Sequence, residues 1–294
     1  MGDRTIRMAD ESAFASWQSY WLFVSEVTRR RRYMLSEESR AFLRVLVRTS
    51  ESRQGKLAAG HRLCRAQVAH AEIAIPDVGF VPGPAVPSRM MPLPDVASDG
   101  RANPRGIPCL YMANNRHTAI AEVRPWIGSL VSVAIMKVVR DQRLVDCRSD
   151  ETKEHIYLEG EPSPVDSEAA VWHHVAKAFR EPVLREDDRA GYAPTQIIAE
   201  AFREHGYDGI IYGSGFGEKG MNVVLFDTSA AEITSCEIHE IRNVTLDHCE
   251  IDNPYFVERQ ADGSTALVRN VITAVGPIGG PMVPLRAEKD KNAS

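Results

Sequence analysis

Three short segments of this 294-residue chain combine reactive side chains with tight turns. The first is His61-Arg62-Leu63-Cys64-Arg65-Ala66-Gln67-Val68, which reads as a short strand. An arginine in mid-strand among apolar neighbours must meet an anion or a carboxylate, because burying an unpaired guanidinium is costly. Arg65 is therefore either half of an internal ion pair or a ligand-binding group. The second segment is Gly100-Arg101-Ala102-Asn103-Pro104-Arg105-Gly106, followed by Tyr111, Thr118, Glu122 and Arg124. Its glycines and proline fix a loop that delivers two arginines and an amide. Glu122 lies on an otherwise apolar helical stretch (Ala119, Ile120, Ala121, Val123). It is either paired with Arg65 or Arg124, or positioned for chemistry. The third is Tyr212-Gly213-Ser214-Gly215-Phe216-Gly217-Glu218-Lys219-Gly220-Met221-Asn222. A serine between glycines at a strand end is exposed and able to bond a ligand.

Several chemistries are excluded or set low. Gly213 and Gly215 stand next to Ser214, whereas a nucleophile elbow needs glycines two residues away on each side. No His/Asp pair is placed to activate the hydroxyl, so a serine hydrolase is a distant reading. The segment has no G-K-[ST] and no following helix, so it is not a phosphate loop. The five cysteines are scattered without C-x-x-C, and the nine histidines form no H-E-x-x-H. Reduced thiols and no metal are expected. A net charge of −5 argues against direct nucleic-acid binding, although residues 1–56 carry +4 and the remainder −9. No apolar run approaches the roughly 20 residues that span a bilayer, and Met1-Gly2-Asp3-Arg4 lacks a signal pattern. The expectation is a cytoplasmic protein without a membrane. With 44% hydrophobic residues and a mean hydropathy of −0.26, it can bury a real core.

The elements that must position these residues are partly legible. Residues 10–33 read as a helix with Phe14, Trp17, Trp21 and Val24 at helical spacing, and Tyr20 and Val27 widening the face. A second helix starts at Ser36 as N-cap, buries Leu43, Leu46 and Val47, and is separated from the first by Arg29-Arg30-Arg31-Arg32. Six prolines between 76 and 94 predict an ordered loop without regular structure. Pro108–Ala113 reads as a strand, and Asn115 caps a helix closed off by Pro125. Leu130–Met136 is a buried strand. Helices are expected at 167–180, capped by Asp166 or Ser167, and at 195–205, capped by Thr195 and ended at Gly206. Strands follow at Asp208–Tyr212 and Met221–Phe226. A hairpin at 253–274 turns across Ala261-Asp262-Gly263-Ser264. The tail after Pro284 is charged and expected to be loose.

Taken together, the three segments resemble the RES-domain family, named for its arginine, glutamate and serine. The resemblance runs from about residue 60 to 235. It is carried by Arg65, the G-R-x-N-P-x-G loop at 100–106, Leu110-Tyr111-Met112-Ala113 with Thr118-Ala119-Ile120-Ala121-Glu122, and Gly206–Ser214 leading to Asn222. Cys64 stands where the family often has tyrosine, and Ala102 where it often has an aromatic residue. The order Arg, Glu, Ser also differs from the Arg, Ser, Glu order of ordinary ADP-ribosyltransferases. The resemblance implies an α+β fold with a mixed β core of ADP-ribosyltransferase-like type and surrounding helices. Residues 1–55 would form an N-terminal helical extension, 56–240 the catalytic domain, and 241–294 a C-terminal β extension and tail. It implies cleavage of NAD at the nicotinamide–ribose bond, by hydrolysis, phosphorolysis or ADP-ribosyl transfer, with Arg65, Glu122 and Ser214 catalytic. Arg101, Asn103, Tyr111 and Asn222 would bind the dinucleotide, which is substrate rather than resident cofactor. Members are mostly toxins of toxin–antitoxin pairs, so an antitoxin partner is implied, with the N-terminal helices as the edge for it or for a homodimer. The alternative from another class is a RES-fold module that binds a nucleotide without cleaving it, regulated through a protein partner.

Overall fold

The structure, a computed structural model, describes residues 13–149, 157, 160–181, 189–216 and 220–246, and the strand backbones 255–259 and 265–269. In chain order the elements begin with helices α1 (Ser19–Arg29) and α2 (Glu37–Thr49) and strands β1 (Gln54–Leu57), β2 (Arg62–Gln67), β3 (Ala71–Ile75) and β4 (Gly79–Gly83). A short helix α3 (Pro87–Met90) leads to β5 (Leu110–Ala113), α4 (Arg116–Glu122), β6 (Leu130–Val138) and β7 (Gln142–Asp146). Helices α5 (Pro164–Arg180) and α6 (Ala193–Glu204) precede β8 (Gly209–Gly213), β9 (Met221–Leu225) and β10 (Ala231–Glu240), and β11 (Tyr255–Arg259) and β12 (Thr265–Arg269) follow.

Eight strands form one mixed sheet in the order β1-β7-β8-β9-β5-β2-β6-β10. Its neighbours are antiparallel except β7 and β8, which pair in parallel through Leu144↔Gly209, Val145↔Ile210 and Asp146↔Ile211. A parallel pair needs a crossover, and here α5 and α6 supply it. The α+β class and the mixed core are therefore as expected. Strand β2 pairs fully with β6, from Arg62↔Lys137 to Gln67↔Ser132, but meets β5 only at Cys64↔Ala113. The sheet is parted beside that single pair.

Side chains alternate across the sheet. Val145, Ile210 and Val224 enter a cluster with Trp172 and Phe179 of α5 and Phe202 of α6, while Leu144, Val223 and Leu225 enter a second with Met90, Met112 and Met136. Phe23, Val27, Phe42 and Leu46 of α1 and α2 belong to the first of these clusters. Helices α1 and α2, within the stretch read as an extension, thus contribute side chains to the same cluster as Val145, Ile210 and Val224. Close contacts divide the chain into Met1–Val244 and Thr245–Ser294, and β11 pairs with β12 in the second unit, Tyr255↔Arg269 to Arg259↔Thr265.

Local signals largely hold. Ser36 Oγ accepts from the Ser39 N–H at 3.2 Å and Asn115 Oδ1 from the Thr118 N–H at 2.8 Å, so both are N-caps. Gly206 has φ +84, the left-handed turn that ends a helix. Four readings are corrected. Among described residues the first helix starts only at Ser19, and its buried stripe is Tyr20, Phe23 and Val27, while Trp21 is half exposed. The buried face of α2 is Phe42, Val45 and Leu46, with Leu43 and Val47 at its margin. The proline-rich stretch contains a strand, because β4 pairs only with β3 and Pro82 sits opposite Glu72 in that two-stranded ribbon, where a missing N–H is tolerated. Helix α5 is capped by Ser163 rather than Asp166 or Ser167, and α6 starts at Tyr192 without a side-chain cap, Thr195 bonding back to the Tyr192 carbonyl.

Candidate active site

A cavity of about 360 Å³ opens where β2 and β5 part. That lies within the range of small-molecule sites. Its wall takes Cys64, Arg65, Ala66 and Gln67 from β2, Tyr111–Ala113 from β5, Ala119 and Glu122 from α4, the loop residues Ser98–Arg101 and Asn103, and the rings of Tyr192 and Tyr212.

Glu122 is the last residue of α4. Its Oε1 accepts two hydrogen bonds, from Ser214 Oγ at 2.7 Å and from Asn222 Nδ2 at 2.5 Å. Among the described residues no arginine or lysine bonds this carboxylate, and Oε2 has no partner. Ser214 and Asn222 are 2% and 4% exposed and stand behind Glu122, off the cavity wall. Ser214 also accepts the Phe216 N–H at 3.0 Å, which leaves its proton for Glu122. Ser214 is buried behind Glu122 rather than exposed, which corrects the expectation of an exposed serine.

Arg65 and Arg101 bond backbone carbonyls rather than Glu122 or another carboxylate. Arg65 Nε donates to the Met90 carbonyl at 2.7 Å and Nη1 to the Tyr111 carbonyl at 2.9 Å. The side chain of β2 thus bonds the backbone of β5 across the gap between the strands. Burial lowers the pKa of this guanidinium, but an arginine stays charged in a protein. Carbonyls satisfy its donors without cancelling its charge, so the cavity keeps a net cation at this wall. Arg101 Nη1 donates to the Ala178 carbonyl at 3.0 Å and to that of Glu181, and Nη2 reaches the Arg180 carbonyl at 3.4 Å. It caps the C-terminus of α5, where the helix dipole favours a cation.

The loop that carries Arg101 is braced from within. Tyr111 donates its hydroxyl to Asn103 Oδ1 at 2.7 Å and accepts the Ala102 N–H at 2.9 Å. The Asn103 amide donates to the carbonyls of Ser98 and Pro104. A Cβ at Gly100 would stand 2.4 Å from the Tyr111 hydroxyl, so only glycine fits there. Burial raises the Tyr111 and Tyr212 hydroxyls well above their usual pKa, so both serve as neutral groups. Burial also pushes the Cys64 thiol up, which keeps it protonated on the wall.

Of the seven site residues expected from sequence, Arg65, Glu122, Arg101, Asn103 and Tyr111 line the cavity, and Ser214 and Asn222 support it from behind. Asn103 acts through the loop, since both ends of its side chain are bonded within the protein. The contributors missed include Tyr192 on the cavity wall and Gln196 behind the loop. Gln196 of α6 donates to the carbonyls of Gly100 at 3.0 Å and Asn103 at 2.9 Å, locking the loop from outside. The available signal was a glutamine among Ala193, Ile197, Ile198 and Ala199, a polar group set in an apolar stripe. Among the described residues no cluster of His, Cys, Asp or Glu could hold a metal ion, and no helix is long and apolar enough to cross a membrane. Cys249 lies outside the described residues; Cys64, Cys109, Cys147 and Cys236 are free thiols.

Comparison with known proteins gives a family. The chain has no match among curated proteins. A solved structure similar to it comes from the M. tuberculosis MbcT-MbcA toxin-antitoxin complex, at 13% identity, with a TM-score of 0.37, covering 66% of this chain and 92% of that one. The model of the RES domain matches residues 80–247, beginning after Arg65 and including Glu122, Ser214 and Asn222. As that span is more than half of the 294 residues, the chain belongs to the RES-domain family.

Proposed function

We propose that this protein cleaves NAD at the bond between nicotinamide and ribose, and that it is a toxin held in check by an antitoxin protein. The observation that carries the chemistry is the half-used carboxylate of Glu122, fixed at Oε1 by Ser214 and Asn222 and, among the described residues, without a partner at Oε2 on a cavity wall. Breaking a glycosidic bond builds positive charge on the sugar, and a fixed carboxylate opposite it stabilises that charge. Glu122 Oε2 would accept from a ribose hydroxyl and face the developing cation. Arg65 would take a phosphate oxygen through its remaining N–H groups. The Tyr111 ring offers a stacking surface, its hydroxyl being already spent on the loop. Ser214 acts on Glu122, not on the sugar. Family membership supports the toxin reading, because RES domains are mostly found as toxins of such pairs.

The test is to incubate pure protein with NAD and assign the products: nicotinamide with ADP-ribose for water as acceptor, with a phosphorylated ADP-ribose for phosphate, or with a modified macromolecule. Expression should arrest growth, and Glu122→Gln should relieve the arrest. NAD bound but not consumed would establish the binding-module alternative, and neither binding nor turnover would overturn the proposal.

A further inference from the structure

Ser214 reaches Glu122 because the turn that carries it is held from two sides. On one side is Gly220. The Ser214 N–H donates to the Gly220 carbonyl at 2.8 Å, and a Cβ at Gly220 would stand 2.7 Å from the Ser214 Cβ and 3.0 Å from Thr118 Oγ1. On the other side is Phe216, whose N–H donates to Ser214 Oγ at 3.0 Å and so directs the hydroxyl proton to Glu122. Phe216 in turn lies against a cation: Arg124 Cζ is 5.6 Å from its ring centroid.

Arg124 occupies an unusual place. It follows the end of α4, where the Val123 N–H bonds the Ile120 carbonyl and the Arg124 N–H bonds the Ala121 carbonyl at 3.0 Å. Its φ is +47, the left-handed turn that glycine normally supplies at this position. An L side chain there is opposed by its own Cβ. Glycine would suit the backbone better, and a long cationic side chain stands there instead. The Phe216 ring is its partner among the described residues.

We infer that Arg124 is a positioning residue for the Glu122–Ser214 pair: from a strained helix end it clamps Phe216, whose amide orients the Ser214 hydroxyl onto the carboxylate. The inference rests on Glu122 being the reacting group. Arg124 acts on it through Phe216 and Ser214 and does not line the cavity.

Arg124→Gly separates the two roles that the residue could have, since it relieves the backbone and deletes the clamp. The expected result is a Tm equal to or above wild type, kcat for NAD cleavage lower by about tenfold, and KM within about twofold. Arg124→Lys, which keeps a cation over the ring, should recover most of the lost kcat. Amide exchange at Phe216 reads the clamp without NAD, and should quicken by roughly tenfold in Arg124→Gly with the rest of the fold unchanged. A Tm that falls together with kcat would make Arg124 a structural residue and overturn the inference, as would unchanged Phe216 exchange. If the wild type does not consume NAD, the exchange measurement decides alone: a quickened Phe216 amide keeps the clamp while the proposed activity fails.

Discussion

Two glutamates in this protein each accept hydrogen bonds from serine hydroxyls, and they end in opposite states. Glu26 lies on α1 and reaches across to the start of α2. Its Oε1 accepts from the Ser36 N–H at 2.8 Å and from Arg31 Nε at 2.8 Å, and its Oε2 from Ser36 Oγ at 2.5 Å and Ser39 Oγ at 2.6 Å. All four acceptor positions are filled and an arginine neutralises the charge. Burial pushes this carboxyl up, but the Ser36 and Ser39 hydrogen bonds and Arg31 outweigh it and hold the pKa at about 2. Among the described residues Glu122 has partners at one oxygen and no arginine bonded to it. Serine beside glutamate therefore says little about role. What separates the two is how much of the carboxylate is spent: Glu26 ties two helices together, and Glu122 has one oxygen without a partner among the described residues, on a cavity wall.

The sharpest way to break this contrast is to exchange the charge of each carboxylate for an amide. Glu122→Gln should lower NAD turnover by roughly 10²–10³, the scale of a lost preorganised electrostatic group, with Tm nearly unchanged. Wild-type turnover in that variant would make Glu122 as structural as Glu26. Arg65→Ala should weaken NAD binding in calorimetry more than Arg65→Lys, because lysine keeps the charge but loses the planar fork. Equal affinity in the alanine variant and wild type would place Arg65 outside the site. Asn222→Ala frees one of the two bonds at Glu122 Oε1 and should cost about tenfold in kcat, the scale of one hydrogen bond to a charged group. Glu26→Gln should leave turnover alone and lower Tm by roughly 2–4 °C, as expected for a lost cap of about 1 kcal/mol in a chain of this size. The pH dependence follows from the sign of its shift. A carboxyl lowered from 4.5 to about 2 on folding adds stability that is full above pH 4.5 and fades as pH falls toward 2. Melting curves over that window should show wild type losing Tm faster than Glu26→Gln, and parallel curves would remove the coupling of Glu26 to the fold.

What could be read in advance follows the distance between partners along the chain. Ser36, Asn115 and Gly206 act within four residues of themselves, and each was placed from sequence alone. The strands that carry Arg65, Tyr111 and Ser214 were also legible, since β-branched and apolar runs are local patterns. The face of α1 was not, because Trp17 and Trp21 make one aromatic stripe and Tyr20, Phe23 and Val27 another, and only the helices packed against it, α2, α5 and α6, decide which is buried. Nor could sequence show that Asn222 meets a carboxylate 100 residues away, or that Arg101 leaves the loop to cap α5. The motifs named residues that the fold gathers at one cavity and left open which of them line it.

The Arg101 cap bears on how this sequence can drift. The guanidinium touches α5 only through the carbonyls of Ala178, Arg180 and Glu181, and a carbonyl is the same whatever side chain stands beside it. Point substitutions at the end of α5 are therefore nearly invisible to the loop. A single residue inserted or deleted within that last turn is not, because it rotates the carbonyls by about 100° and carries them away from Arg101. Relatives should differ freely in the letters of this stretch while holding the count between Ser163 and Glu181 fixed, and a loop grafted between two of them should work only when the helix lengths agree.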